Sequence, residues 1–256
     1  MPLLRLANVT KIFGGLTAMQ EVSFEVIRGS IVGLIGPNGA GKTTVFNCIT
    51  GNYTPEKGDI YFKNECITGV PSYKLVEKGI ARTFQSIRLF SRMQAVENVL
   101  AGRHCRMTAG LISSMLRLPW QRREEKAAFD RAMQELAFVG IDDVHGELAG
   151  SLSYGKQRLL EIARALAADP ELLILDEPAG GMNEQETAEL MELIRAIRKR
   201  GITVLLIEHD MRLVMDICEQ LIVLDNGEVI AKDIPEKIRN NKAVIEAYLG
   251  VDDGGW

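Results

Sequence analysis

The sequence has no apolar run long enough to cross a lipid bilayer, because no stretch approaches the roughly 18 consecutive apolar residues that a membrane helix needs. Its first residues, Met-Pro-Leu-Leu-Arg-Leu, contain no basic stretch followed by an apolar segment, so we expect no signal peptide. If the protein serves a membrane, we expect it to do so from outside the lipid.

Cysteines are few, and positive charge is not in excess. The four cysteines form no Cys-x-x-Cys pair and have no histidine at metal-binding spacing, which indicates reduced thiols: Cys48, Cys66, Cys105 and Cys218. The 30 Lys and Arg residues face 34 Asp and Glu residues, so we expect no nucleic-acid partner. One basic cluster falls in the last turn of a predicted helix, where cations stabilise the helix dipole: Arg195, Arg198, Lys199 and Arg200.

Short apolar runs alternate with segments of helical periodicity, which predicts an α/β fold. The continuous apolar runs at 31–35, 172–175 and 203–207 are typical of strands buried on both faces of a sheet. Turn signals and helical spacing assign further elements: a helix at 43–50, a β-hairpin arm at 59–64, a helix around 190–197, a second hairpin at 221–231 and closing helices at 236–249.

The middle of the chain carries little β pattern. Its clearest helical face follows i, i+3, i+4, i+7 spacing and comprises Phe129, Ala132, Met133 and Leu136. We therefore predict a mostly α-helical insertion at 91–168, ending with the helix that follows residue 155. The insertion would separate a first part of one α/β core, 1–90, from a second part with short C-terminal helices, 169–256.

A glycine-rich turn joins the first predicted strand to the helix at 43–50. It matches the pattern Gly-x-x-x-x-Gly-Lys-Ser/Thr and comprises Gly36, Pro37, Asn38, Gly39, Ala40, Gly41, Lys42, Thr43 and Thr44. Backbone N–H groups of such a turn, with the positive end of the next helix, bind phosphate. Lys42 would contact the β- and γ-phosphates, and the Thr43 hydroxyl would bind Mg²⁺. The motif predicts a nucleoside triphosphate site.

Two acids end the apolar run at 172–175. Because neighbouring side chains at a strand end point in different directions, Asp176 and Glu177 are predicted to have different roles. We expect Asp176 to hold Mg²⁺. Glu177 would polarise the water that attacks the γ-phosphate, a general-base contribution of about 10²- to 10⁴-fold.

The segment Leu152–Gln157 (LSYGKQ) completes a resemblance to the ABC ATPases across essentially the whole chain. It is similar to that family's signature, often LSGGQ, with departures at Tyr154 and Lys156. The resemblance implies a P-loop NTPase fold with a RecA-like core sheet, an antiparallel β arm and an inserted α-helical subdomain, and it implies ATP with Mg²⁺. It also implies that the signature contacts ATP held by a partner subunit through Ser153, Tyr154, Gly155, Lys156 and Gln157.

Four further positions match the family. Gln85 corresponds to the glutamine that senses Mg²⁺ and the attacking water and links the core to the insertion. His209 corresponds to the switch histidine at the γ-phosphate, Phe13 to the aromatic residue that stacks on adenine, and Thr44 to the residue beside the α-phosphate. The resemblance thus implies a catalytic set of Glu177, His209 and Gln85 and a metal set of Thr43, Gln85 and Asp176.

One departure concerns the loop after Pro178, where the family often has an Asp that couples the two sites of a dimer. This sequence has Ala-Gly-Gly-Met-Asn there, ending at Asn183. Asn183 and Glu186 fit a capping box for the next helix. Asn183 therefore either only caps that helix or also takes the place of the coupling Asp.

Four stretches narrow the resemblance to the ATPase subunits of bacterial branched-chain amino acid importers: 82–90, 154–158, 178–183 and 247–250. The insertion, with Arg117-Leu118-Pro119 and Arg122-Arg123-Glu124-Glu125, is similar to the larger of two paralogous ATPases in such systems. The implied partners are a second ATPase subunit, two membrane permease subunits and, indirectly, a periplasmic amino acid-binding protein. The implied location is the cytoplasmic face of the inner membrane.

Three alternatives stay open on the sequence alone. A lipopolysaccharide-type exporter has an ATPase of similar size, but Tyr154 and the longer insertion argue against it. A soluble ABC ATPase of translation or DNA repair usually has two ATPase halves or a long coiled coil, whereas this chain has one phosphate loop and no sustained heptads. A nucleotide-gated switch would bind ATP without turnover. The presence of both Glu177 and His209 argues against this alternative.

Overall fold

A computed structural model describes residues 1–106 and 119–249. In chain order the strands are β1 (Pro2–Phe13), β2 (Leu16–Ile27), β3 (Ile31–Ile35), β4 (Lys57–Phe62), β5 (Glu65–Cys66), β6 (Ile80–Arg82), β7 (Leu172–Asp176), β8 (Thr203–Ile207), β9 (Gln220–Asp225) and β10 (Glu228–Asp233). The α-helices are α1 (Lys42–Ile49), α2 (Ser72–Lys78), α3 (Ala95–Arg103), α4 (Pro119–Phe138), α5 (Tyr154–Leu166), α6 (Glu184–Lys199), α7 (Met211–Ile217), α8 (Pro235–Arg239) and α9 (Lys242–Leu249). Residues 107–118 and 250–256 lie outside the described part of the chain, and they include Arg117, Leu118 and Gly250, which are named above.

The central sheet has the strand order β10-β9-β3-β8-β7-β6. All neighbours pair in parallel except β10, which pairs antiparallel with β9. Alternate residues of β3 belong to two different hydrophobic cores, Ile31 and Ile35 to one and Val32 and Leu34 to the other. Because both faces are covered, the inner strands are apolar at nearly every position.

The fold class and most of the predicted elements are confirmed. The strands predicted at 31–35 and 203–207 have those bounds, and the run at 172–175 extends through Asp176. The helix predicted at 43–50 spans Lys42–Ile49, and the arm at 59–64 is the β4–β5 pair. The second hairpin is β9–β10, and α8 and α9 are the closing helices.

A four-stranded antiparallel sheet, ordered β2-β1-β4-β5, covers one face of the central sheet together with α1. Its two longest strands, β1 and β2, are not predicted from the sequence. Their pairing shifts register between Leu6 and Val9, and Asn8 between them has a φ of +50°. Such bulges interrupt the alternation of apolar and polar residues by which a half-buried strand is identified.

The opposite face of the central sheet is covered by helices α3 to α9, which include the described part of the segment predicted as an insertion. There α3, α4 and α5 contact one another and share the core that Ile31 and Ile35 enter. In α4, Ala132 and Leu136 are fully buried. Phe129, which shares the same helical spacing, is 43% exposed, and the buried stripe of this helix runs through Ala128 instead.

Three arginines of the basic cluster are paired with acidic side chains. Arg195 contacts Asp216, Arg198 contacts Glu219 at 2.7 Å, and Arg200 contacts Glu135 at 2.7 Å. These cations thus link α6 to neighbouring elements, which favours their structural role over a nucleic-acid surface. Within the described ranges, no helix combines the length and apolar character that a bilayer crossing requires.

The first turn of α6 yields a stability prediction. The Asn183 side chain accepts the Glu186 N–H at 2.9 Å, and the Glu186 carboxylate accepts the Asn183 N–H at 2.9 Å. Asn183→Ala removes half of this capping box and should cost about 1 kcal/mol of unfolding free energy. Thermal unfolding should show a midpoint lowered by about 2–4 °C. Gln185→Ala, in the same exposed turn, is the control, and an equal shift in both variants would contradict the capping role.

Candidate active site

The candidate site lies at one edge of the central sheet. Because β3, β6, β7 and β8 run parallel, the loops that follow them all leave at this edge. They carry, in that strand order, the glycine-rich loop at 36–44, Gln85, the pair Asp176 and Glu177, and His209. Ligands of open α/β sheets bind at this carboxyl edge.

The glycine-rich loop has a backbone that a side chain would obstruct. Gly41 has a φ of +98°, and a Cβ added there would lie 2.6 Å from the Ala18 carbonyl oxygen. Asn38 and Gly39 are exposed at the tip of the loop, whereas Gly36, Pro37 and Ala40 are buried beneath it. The loop therefore leaves its tip open to a ligand while its base is packed against the protein.

Lys42 begins α1 and reaches back over this loop. Its ammonium donates to the carbonyl oxygens of Gly36 at 2.6 Å and Pro37 at 2.9 Å. Burial lowers the pKa of Lys42, and the nearby carboxylates of Glu177 and Asp176 oppose that effect. Thr43 in the same turn is exposed and Thr44 is half-buried. The loop thus presents one cation and two hydroxyl-bearing residues at a helix N-terminus.

Asp176 and Glu177 lie in different surroundings. Asp176 is 8% exposed, and burial, followed by the charge of Glu177, raises the pKa of its carboxyl to about 6. Glu177 leaves the strand with a φ of +45°, and its N–H donates to the Ile207 carbonyl at 2.8 Å. Glu177 therefore lies outside the strand, at the turn that begins the next loop.

The structure brings the three predicted catalytic residues together. The Gln85 amide donates to one oxygen of the Glu177 carboxylate at 2.9 Å, and His209 Nδ1 lies 3.8 Å from the other. The side chains of His209 and Glu177 are 63% and 25% exposed. A half-open carboxylate flanked by an amide and an imidazole can accept a proton from water that enters from solvent.

Glu208 is a site residue that the sequence reasoning missed. It is 1% exposed, and its carboxylate accepts N–H groups from Ala179 at 3.0 Å and His209 at 3.1 Å. Burial raises its pKa, which these hydrogen bonds oppose. Glu208 therefore ties the loop after Glu177 to the loop that carries His209. An acid at the end of a buried strand was the available signal.

Phe13 is the last residue of β1. Its ring makes an edge-on contact with Tyr53, with centroids 5.1 Å apart, and Lys11 Nζ lies 5.0 Å from the ring centre. Phe13 is 39% exposed and Tyr53 38%. The structure thus pairs Phe13 with a second exposed aromatic residue that the sequence analysis did not single out.

The segment 153–157 forms the start of α5. The Ser153 hydroxyl caps the helix by accepting the Lys156 N–H at 3.4 Å, Gln157 donates to the Leu152 carbonyl, and the Lys156 ammonium contacts Asp143. A Cβ added at Gly155 would lie 2.7 Å from a carboxylate oxygen of Glu186. Tyr154 is exposed, as is Ser153.

The donor groups at the sheet edge fit Mg²⁺. The predicted metal residues Thr43, Gln85 and Asp176 offer oxygen donors, and a buried carboxylate with a raised pKa gains from a nearby cation. In the part of the chain that the structure describes, no group of three His, Cys, Asp or Glu side chains could enclose a metal. Mg²⁺ is commonly held by one or two carboxylates together with substrate phosphates, and Asp176 could be one such carboxylate.

Comparison with known proteins points to one family. Residues 19–180 match the family model "ABC transporter", and residues 228–254 match "Branched-chain amino acid ATP-binding cassette transporter". The chain is 47% identical over 250 residues to the high-affinity branched-chain amino acid transport ATP-binding protein LivG of Escherichia coli K12, covering 97% of this chain and 98% of that protein.

Solved structures agree in fold. An ATP-binding cassette of an ABC transporter in its ADP conformation has a TM-score of 0.85 and 34% identity, with 98% of this chain and 99% of that chain covered. A dimeric ATP-binding cassette in a post-hydrolysis state, bound to ADP and Pi, has a TM-score of 0.77 and 25% identity, with 91% and 98% covered.

The buried carboxyl of Asp176 yields a pH prediction. Because its native pKa is raised to about 6 from 3.8, Asp176 destabilises the ligand-free fold increasingly as pH rises from about 4 to about 6. Asp176→Asn should therefore exceed the wild type in unfolding free energy by about 3 kcal/mol above pH 7 and by little below pH 4. Guanidinium unfolding in EDTA from pH 4 to 8 measures this difference. Asp130→Asn, at an exposed site, is the control, and a pH-independent difference would contradict the assignment.

Proposed function

The chain belongs to the ABC transporter family of ATP-hydrolysing transport proteins, and we propose that it powers the import of branched-chain amino acids through membrane permease subunits. The observation that carries the proposal is the meeting of Lys42, Asp176, Glu177, Gln85 and His209 at one sheet edge. The cargo is supported by the match of 228–254 to a branched-chain amino acid family model and by the 47% identity to LivG.

In the proposed reaction, the N–H groups of 36–44 and the Lys42 ammonium bind the phosphates of ATP, with Thr44 beside the α-phosphate. Glu177 takes a proton from the attacking water. The Gln85 amide, 2.9 Å from the Glu177 carboxylate, orients that carboxylate and the water. His209, on the other side of Glu177, contacts the γ-phosphate. Mg²⁺ held by Thr43, Gln85 and Asp176 would neutralise charge on the phosphate oxygens.

We assign adenine stacking to Phe13. Its half-exposed ring, with Tyr53 at its edge, offers a flat apolar surface. Stacking of a base on an aromatic ring is worth about 1–3 kcal/mol and shows little base preference. The specificity for a triphosphate would therefore come from the phosphate loop rather than from the base.

The signature segment is proposed to act on the ATP of a partner copy. Ser153 and Tyr154 are exposed, and among the described residues no hydrogen bond joins 153–157 to the loop at 36–44 of the same chain. Two copies would then enclose ATP between the loop of one and the signature of the other. Moving such a pair from about 1% to 99% closed needs roughly 5.5 kcal/mol of differential binding.

The proposed assembly contains a second ATPase subunit, identical or related, and two membrane permease subunits, with a periplasmic amino acid-binding protein acting indirectly. This chain would lie at the cytoplasmic face of the inner membrane. We propose that 1–90 and 169–256 form the ATP-binding core and that 91–168 moves with the signature. For Asn183 we propose only the capping of α6, not the coupling of two sites.

A mixing experiment tests the shared site. Lys42→Ala should weaken Mg·ATP binding by roughly 10- to 10³-fold, because a close charge contact is lost. Ser153→Arg should leave binding within about twofold but abolish turnover. An equal mixture of the two purified variants can form mixed dimers with one intact site, made of Lys42 from one copy and Ser153 from the other.

Recovered phosphate release in that mixture is the expected result. If the signature served the ATP of its own chain, every copy would lack one half of its site, and the mixture would stay inactive. Normal hydrolysis by Ser153→Arg alone would contradict the role of the signature.

Uptake of radiolabelled leucine tests the cargo. Cells lacking this gene should lose high-affinity uptake, and the wild-type chain should restore it, with unlabelled isoleucine and valine competing. Glu177→Gln should fail to restore uptake, because removal of a general base costs about 10²- to 10⁴-fold in rate. Glu228→Gln, an exposed substitution in β10, is the control. Unchanged uptake with a defective cell envelope would point to lipopolysaccharide export instead.

A further inference from the structure

Arg158 is a fully buried cation in the second turn of α5, with 1% of its surface exposed. One guanidinium nitrogen donates to the Phe84 carbonyl at 2.7 Å and to the Glu161 carboxylate at 3.0 Å. The other donates to the Gln85 carbonyl at 3.0 Å and the Tyr154 hydroxyl at 3.2 Å. One side chain thus joins the signature helix to the backbone of the loop that carries Gln85.

Glu161 and Arg164 hold the other end of the same loop. The Glu161 carboxylate, 0% exposed, accepts the Arg88 N–H at 3.3 Å and lies 3.6 Å from the Arg164 guanidinium. Arg164 also donates to the Arg88 carbonyl. The backbone from 84 to 88 is therefore fastened to successive turns of α5 rather than to the sheet that it leaves.

Tyr154 adds a third loop to this contact. Its hydroxyl accepts from Arg158, and its ring packs so closely on Gly181 that a Cβ added there would lie 3.1 Å from it. Gly181 belongs to the loop between Glu177 and the cap of α6. Tyr154, where this sequence departs from the common signature, thus contacts both Gly181 and Arg158.

Burial of an arginine and a glutamate is costly, and an apolar pair of similar volume is often as stable. Stability alone does not explain a guanidinium whose hydrogen bonds go mainly to the backbone and side chains of functional loops. The planar fork of Arg can donate to several acceptors in fixed directions, which the single ammonium of Lys cannot do.

We propose that Arg158 is a positioning residue that couples the signature segment to Gln85, so that engagement of Ser153 with the partner's nucleotide sets the distance between Gln85 and Glu177. The inference rests on the proposed role of Gln85 in hydrolysis. Gln85 is exposed and lies 2.9 Å from Glu177, so a small shift of its backbone breaks that contact. Misplacement of a catalytic group by 1 Å can cost on the order of 10²-fold in rate.

The test is a double-mutant cycle on the full-length protein, read as ATP turnover per folded molecule. Arg158→Met and Arg158→Lys are each made with Gln85 intact and in a Gln85→Ala background. Arg158→Lys keeps the charge, so it separates the geometry of the fork from the electrostatic effect on the site. We expect kcat to fall about tenfold or more in both variants with Gln85 intact, with ATP affinity within about twofold.

In the Gln85→Ala background, the same Arg158 substitutions should change kcat by less than about twofold, because the residue through which Arg158 acts is gone. Arg200→Met is the matched control, since it also removes an arginine paired with a fully buried glutamate, Glu135, but Arg200 lies at the end of α6 and, among the described residues, makes no hydrogen bond or ion pair with the loop at 84–88. It should lower the unfolding temperature without changing kcat per folded molecule.

The outcomes separate the two claims. An equal fall in kcat with and without Gln85 would overturn the positioning role of Arg158, as would wild-type turnover by Arg158→Lys. If Gln85→Ala alone left kcat unchanged, the proposed role of Gln85 would fail instead, whatever the Arg158 variants did.

Discussion

The parallel pairing of β3, β8 and β7 is the constraint on which the rest of this structure depends. It aligns the strands so that Asp176 lies opposite Ile207, and the Glu177 N–H extends the ladder by donating to the Ile207 carbonyl. Three loops with different chemistry therefore leave the sheet side by side: a phosphate loop, a carboxylate pair and a histidine. The hydrophobic cores on both faces hold these strands in place, so the energy that folds the protein also assembles the site.

Charges buried near that edge are each held by groups of the surrounding loops. Lys42 donates to two carbonyls of its own loop, Glu208 accepts N–H groups from two loops, and Arg158 donates to the backbone of a third. An unpaired buried charge would be costly, so each of these contacts resists being broken. Glu208 and Arg158 hydrogen-bond to the backbone of other loops, so the positions of these loops are linked.

The site residues follow the pattern of the ABC family, and the positions at which this chain departs from that pattern make contacts of their own. Where the common signature has glycine, Tyr154 packs on Gly181 and accepts a hydrogen bond from Arg158. Gly155 lies against the Glu186 carboxylate, the same carboxylate that completes the cap of α6, so a larger residue at 155 would displace that carboxylate. Gly155 of the signature is thus linked by packing to the cap of α6 within the same chain. The C-terminal match to branched-chain amino acid transporters lies in a different part of the chain, 228–254.

The sequence by itself determined the elements with a strong local signal. Continuous apolar runs located β3, β7 and β8, the glycine-rich turn located the phosphate loop, and the order of motifs identified the family. It could not locate β1 and β2, because their bulges break the alternation of apolar and polar residues. It also could not show that Phe129 is exposed, because helical spacing alone does not decide whether Phe129 or the adjacent Ala128 faces the core. Only the tertiary structure decided that Gln85 lies 2.9 Å from Glu177, that Glu208 and Arg158 hydrogen-bond to the loops of the site and that Tyr53 contacts Phe13. Those contacts link residues distant along the chain, and their geometry is set by sheet order and core packing rather than by local sequence.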